Sequence, residues 1–176
     1  MGTLEIFPLG TSEEFLFALI KDIFENWWAD IQFGILIQGA AWELKLNEQP
    51  RYIGLLDGYV TIDFGGPHCH ICIGPHQGSS KNPVSPELAR HRRCARAELY
   101  RQLHRDKPNS WGLRLYNGKD EQLMTVFLPN PFLSPEMKLL KQPDWSRLAL
   151  WNHLRRAYLG LPPDPKDRTG TKFVHG

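Results

Sequence analysis

Between Tyr59 and Ile73 the chain alternates polar and apolar residues on both sides of a central Gly65-Gly66 pair. Alternation with period two sends successive side chains to opposite faces of a strand. A Gly-Gly pair suits the two-residue turn of a tight hairpin, because both residues accept positive φ. Counting outward from that turn pairs Phe64 with Pro67, Asp63 with His68, Ile62 with Cys69, Thr61 with His70, Val60 with Ile71 and Tyr59 with Cys72. Directly opposed residues share a face. One face is therefore Val60, Ile62, Cys69, Ile71 and Ile73, and the other is Tyr59, Thr61, Asp63, His68, His70 and Cys72. A slip by one residue would mix the two sets, so the pattern specifies the register.

The polar face has a chemistry of its own. Two imidazoles and a thiol in a row are ligands for a borderline-soft transition ion, zinc or iron above all. The expected metal set is His68, His70 and Cys72, with His76 returning after Gly74-Pro75 as a fourth ligand or as an acid–base group. Asp63, opposite His68, would orient its imidazole. Asp63 and His76 are thus the catalytic candidates of a metal-dependent enzyme, in which an open coordination position activates water or polarises a substrate.

Two further readings use the same residues. A non-catalytic binder or carrier would hold a metal or haem on this face, with arginines meeting carboxylates such as haem propionates. A structural zinc site would combine Cys69 and Cys72 with His91 and Cys94. C-x-x-C ligands converge only in a turn, however, and the alternation of Ile71 and Ile73 argues for a strand. The segment His68 to Ile73 is also similar to the His-x-His-x-His strand of the histidine-triad hydrolases, which implies nucleotidyl transfer. That resemblance spans a few residues; Cys72 stands in place of the third histidine, and well over half of the chain follows the motif, so no roles are transferred.

Around this hairpin the pattern predicts an α+β fold: an antiparallel sheet of about five to six strands in meanders and hairpins, with about three helices packed on one side. Thr11 and Glu14 have capping-box spacing ahead of the apolar stripe Phe15, Leu16, Leu19, Ile20, Ile23, Phe24 and Trp27, predicting a helix over about 12 to 28. Ser85-Pro86-Glu87 starts a second helix, expected to run to about 105. Asn117-Gly118 predicts a hairpin between strands over 111–116 and 122–128, and a last helix is expected from Asp144 to Leu159, closed by Gly160.

On the second helix, Arg92 and Arg96 project nearest the apolar stripe, which makes them the candidates for holding a small anionic ligand or substrate. Arg90, Arg93, Arg101 and His104 project outward and are expected to be solvated. A formal charge of +2, without aromatic residues interleaved among the arginines, makes nucleic acid an unlikely partner. No apolar run approaches the length of a membrane span. With 176 residues, 41% hydrophobic and 23% charged, the chain is expected to be one cytoplasmic domain over 1–176, with 161–176 as a loosely packed C-terminal tail.

Overall fold

The computed structural model describes residues 3–174. In chain order the elements are β1 (Thr3–Leu9), α1 (Glu13–Asn26), β2 (Gln32–Gly34), β3 (Leu36–Ile37), β4 (Ala40–Ala41), β5 (Tyr52–Leu56), β6 (Tyr59–Asp63), β7 (His68–Cys72), β8 (Gly78–Ser79), β9 (Asn82–Pro83), α2 (Pro86–Arg92), β10 (Cys94–His104), β11 (Lys107–Asn117), β12 (Gln122–Phe127) and α3 (Ala149–Leu159), with 3-10 turns at Trp145–Leu148 and Pro165–Arg168. The fold is α+β. Its main sheet has five antiparallel strands in the order β1-β10-β11-β12-β2, and a separate three-stranded sheet has the order β5-β6-β7.

The predicted hairpin forms in the predicted register. Tyr59 faces Cys72, Val60 faces Ile71, Thr61 faces His70, Ile62 faces Cys69 and Asp63 faces His68, and the Phe64 amide donates to the Pro67 carbonyl at 3.0 Å across the Gly65-Gly66 turn. Val60, Ile62, Ile71 and Ile73 enter the core together with Leu16, Leu19, Ile20, Ile23 and Phe24 of α1, Leu150, Trp151 and Leu154 of α3, and Ala97, Leu99, Leu113, Leu115, Met124 and Val126 of the main sheet. The core thus lies between one face of that sheet and the layer formed by α1, α3 and the hairpin. Burying apolar surface there stabilises by roughly 25 cal/mol per Å².

Three local expectations change. The cap of α1 is Ser12, whose hydroxyl accepts from the Phe15 amide at 3.2 Å, one residue after the Thr11 expected. The second helix starts as predicted, with Ser85 accepting from Leu88, but ends at Arg92 and buries none of its residues. Residues 94–104 form a strand instead, central in the sheet between β1 and β11. The C-terminal stretch is also firmly packed at one point. Asp167 is 1% exposed and accepts from Arg101 Nη1 at 2.8 Å, Trp111 Nε1 at 2.9 Å, Trp151 Nε1 at 2.7 Å and Arg155 Nη1 at 3.4 Å. A carboxylate with four donors brings the segment down onto the sheet, against the expectation of a loose tail.

Candidate functional site

The expected metal ligands share a strand face but do not assemble. His68 and His70 are exposed, with ring centroids 5.0 Å apart. Cys72 lies at the other end of β7 and is only 3% exposed; its thiol donates to the Gly74 carbonyl at 3.7 Å and hydrogen-bonds Tyr59. Desolvation raises its pKa, so it stays a thiol. Among the described residues no three His, Cys, Asp or Glu side chains come together as a metal site.

His76 belongs to a different cluster. Arg92 Nη1 lies 3.3 Å from His76 Nε2, and a guanidinium can only donate, so Nε2 accepts and Nδ1 carries the proton. Nδ1 then donates to Asp57 Oδ2 at 2.8 Å. Both ring nitrogens of His76 are thus engaged, one of them by Arg92. Asp63 does not orient His68; its Oδ1 accepts from the Gly65 amide at 2.7 Å and closes the hairpin turn. A short carboxylate beside a glycine turn satisfies the nearest backbone donor first.

The alternative zinc set fails for related reasons. Cys69 and Cys72 lie on opposite faces of an extended strand. His91 Nε2 is 2.9 Å from Glu121 Oε2, and the buried Cys94 thiol donates to the Arg96 carbonyl at 3.4 Å. Burial pushes the Cys69 and Cys94 thiols up to about 11, so both are thiols at neutral pH. Arg96 is on β10 and not on a helix. Its guanidinium lies 3.6 Å over the Tyr116 ring and pairs at 2.5 Å with both Glu98 and Asp120, so it is neutralised within the chain. Arg101, expected in solvent, is 4% exposed and bound to Asp167, Asp164 and Glu5.

One histidine of the motif does stand at a cavity. A cleft of about 480 Å³ lies between β7 and the β2–β4 region, lined chiefly by Phe33, Ile35, Ile37, Trp42, Leu44 and Met124, with Cys69 and His70 on the β7 side. Its rim leaves hydrocarbon in water, with Trp42 65% and Ile37 60% exposed. Gly34 lets the crossing chain approach, since a β-carbon there would sit 1.7 Å from the Trp42 carbonyl oxygen. His70 is fixed by a 2.7 Å hydrogen bond between its Nδ1 and Thr61 Oγ1. The register therefore identified His70 and Thr61 as partners, but it held no information about the opposite wall. The signal for that wall was the apolar run Ile35-Leu36-Ile37 next to Ala40-Ala41-Trp42, too short and too exposed to build a core of its own.

Residues 1–160 match the model of a family of unknown function, DUF7676. No curated protein matches the chain. Among solved structures, the crystal structure of ChuX aligns with a TM-score of 0.54 at 13% identity, covering 90% of this chain and 79% of the other. A structure of the heme binding protein ChuX aligns with a TM-score of 0.50 at 14% identity, covering 86% of this chain and 75% of the other. Likeness at such identities concerns the fold alone. No described helix is long and apolar enough to cross a membrane.

Proposed function

The chain belongs to DUF7676, a family of unknown function, and we propose that it is a non-catalytic haem-binding or haem-carrying protein whose site is the cleft beside β7. The observation that carries this reading is an apolar cleft of about 480 Å³ with His70, on the edge strand β7, among its lining residues. Support also comes from the likeness in fold to a protein described as heme binding.

The residues present suit the group. A porphyrin is a large apolar plate, and the exposed faces of Ile37 and Trp42 are surface that such a plate would cover. If Nδ1 of His70 donates to Thr61, Nε2 keeps the lone pair that an iron ion takes. No lysine or arginine lines the cleft, so carboxylates on the ligand would project to water. Burial keeps Cys69 protonated, which leaves the imidazole as the stronger donor. Haem, when bound, would supply an iron centre for ligation; what the protein supplies is apolar enclosure and one oriented nitrogen.

Titration with ferric haem tests the reading. One equivalent should bind with a saturable Soret shift and quench tryptophan fluorescence through Trp42. His70→Ala should lose the imidazole-ligated spectrum, and Thr61→Val should weaken binding about tenfold. A wild-type protein that gives no saturable shift, or a His70→Ala spectrum identical to wild type, would refute it.

A further inference from the structure

We propose that the cleft between the end of α2 and the turn joining β11 to β12 is a second binding site, which takes a small polyanion of the phosphate class. It measures about 650 Å³ and is lined by Thr11, Arg90, Arg93, Cys94, Gly118 and Lys119, with Glu87 as its carboxylate and His91 and Ala95 beside them. Arg90, Arg93 and Lys119 make no side-chain hydrogen bond or ion pair among the described residues. This sets them apart from Arg92, Arg96, Arg101 and Arg114, which all have partners within the chain.

Backbone contacts bring the residues that carry these cations to one cleft. The Gly118 amide donates to the His91 carbonyl at 2.9 Å, and a β-carbon at Gly118 would lie 2.3 Å from the Arg90 carbonyl oxygen, so only glycine permits this approach of turn to helix. Asn117 Oδ1 accepts from the amides of Lys119 at 2.9 Å and Glu121 at 3.0 Å, while its Nδ2 donates to Glu121 Oε2 at 2.7 Å, the same oxygen that meets His91. The turn is thereby bound to the helix end, with Lys119 on the same cleft as Arg90. Arg93 is half-buried beside the Cys72 and Cys94 thiols, which carry no compensating negative charge.

Arg90, Arg93 and Lys119 around a single cleft repel one another, with Glu87 in the cleft and Glu121 at its edge as the nearby carboxylates, and a multivalent anion removes that cost. The negative end of the helix dipole accounts for a basic residue in the last turn of α2, such as Arg90. It does not account for Lys119, which the hairpin turn brings there. Guanidinium groups pair with phosphate through parallel N–H donors, and an ammonium adds a point charge. The site is independent of the apolar cleft, so each can fail without the other.

Isothermal titration of the full chain with inorganic pyrophosphate at physiological ionic strength tests the site. One saturable equivalent is expected, weakened about tenfold by Arg90→Gln and by Lys119→Gln separately, with circular dichroism and thermal midpoint unchanged. Citrate should compete more weakly than pyrophosphate. No saturable heat, or the same affinity in the Arg90→Gln/Lys119→Gln double variant, would overturn the proposal. Sedimentation with anionic phospholipid vesicles without any pyrophosphate binding would also overturn it, by assigning the cations to a membrane surface.

Discussion

Cys69, His70 and Cys72 show how far a strand pattern goes at the level of single side chains. Alternation correctly places Cys69 with the apolar set and His70 beside Thr61. It does not say how deep each residue lies. Cys72 is on the polar face, yet Tyr59 and the nearby end of α2 cover it, so a residue expected to bind metal is a buried thiol. With its pKa near 11, Cys69 should react slowly with iodoacetamide at neutral pH, and its rate should climb as pH approaches 11; a rate already saturated at neutral pH would contradict this. Asp57 gives a second prediction. The Gln77 and Gly78 amides, donating at 2.9 Å each, hold its carboxyl below the usual range, with His76 adding to the effect. A lowered folded pKa means that this contribution is present at neutral pH and is lost as the pH falls below about 4 toward the folded value. The Gln77 and Gly78 amide resonances should move together in that range, and Asp57→Ala should release the 76–84 loop at neutral pH without acid.

Among the elements, β10 is where local pattern and final structure part. Ala95, Leu99 and Leu103 have helical i, i+4 spacing, while Ala97, Leu99 and Leu103 also fit a period of two, and arginine-rich composition favours a helix in isolation. The strand wins because β1 and β11 bond it on both sides, with Ala97 and Leu99 in the core. Helix propensity amounts to tenths of a kcal/mol per residue, and a central position in a sheet outweighs it. That exchange also sends the arginines to new places: Arg96 to the sheet face of Glu98 and Tyr116, and Arg101 to Asp167. The crossing of Trp42 over Gly34 is a second contact at this scale. Gly34→Ala would put a methyl against backbone that cannot rotate away, so urea denaturation should show a loss of about 1–3 kcal/mol. Haem binding should weaken as well, because the same crossing forms the wall of the cleft.

For the molecule as a whole, the most consequential residue is one that nothing nearby in sequence announces. Asp167 joins β10, β11, α3 and the C-terminal turn through Arg101, Trp111, Arg155 and Trp151. Asp167→Ala would leave guanidinium and indole donors buried without an acceptor, and chemical denaturation should report a loss of about 3–5 kcal/mol; a loss below about 1 kcal/mol would show that the cluster is not holding the segment. The chain alone was enough for whatever depends on neighbours a few residues away: the α+β class, the hairpin and its register, the Ser85-Pro86 helix start, the Asn117-Gly118 turn and the facing of His70 with Thr61. It was not enough for depth, partners across the fold, or the choice between helix and strand in residues 94–104. Those depend on contacts between residues distant in sequence, such as His76 with Arg92 or Trp42 with Gly34. For that reason the ligand-type residues could be recognised before folding, while the two clefts, and which cations remain without a partner, emerged only in the assembled molecule.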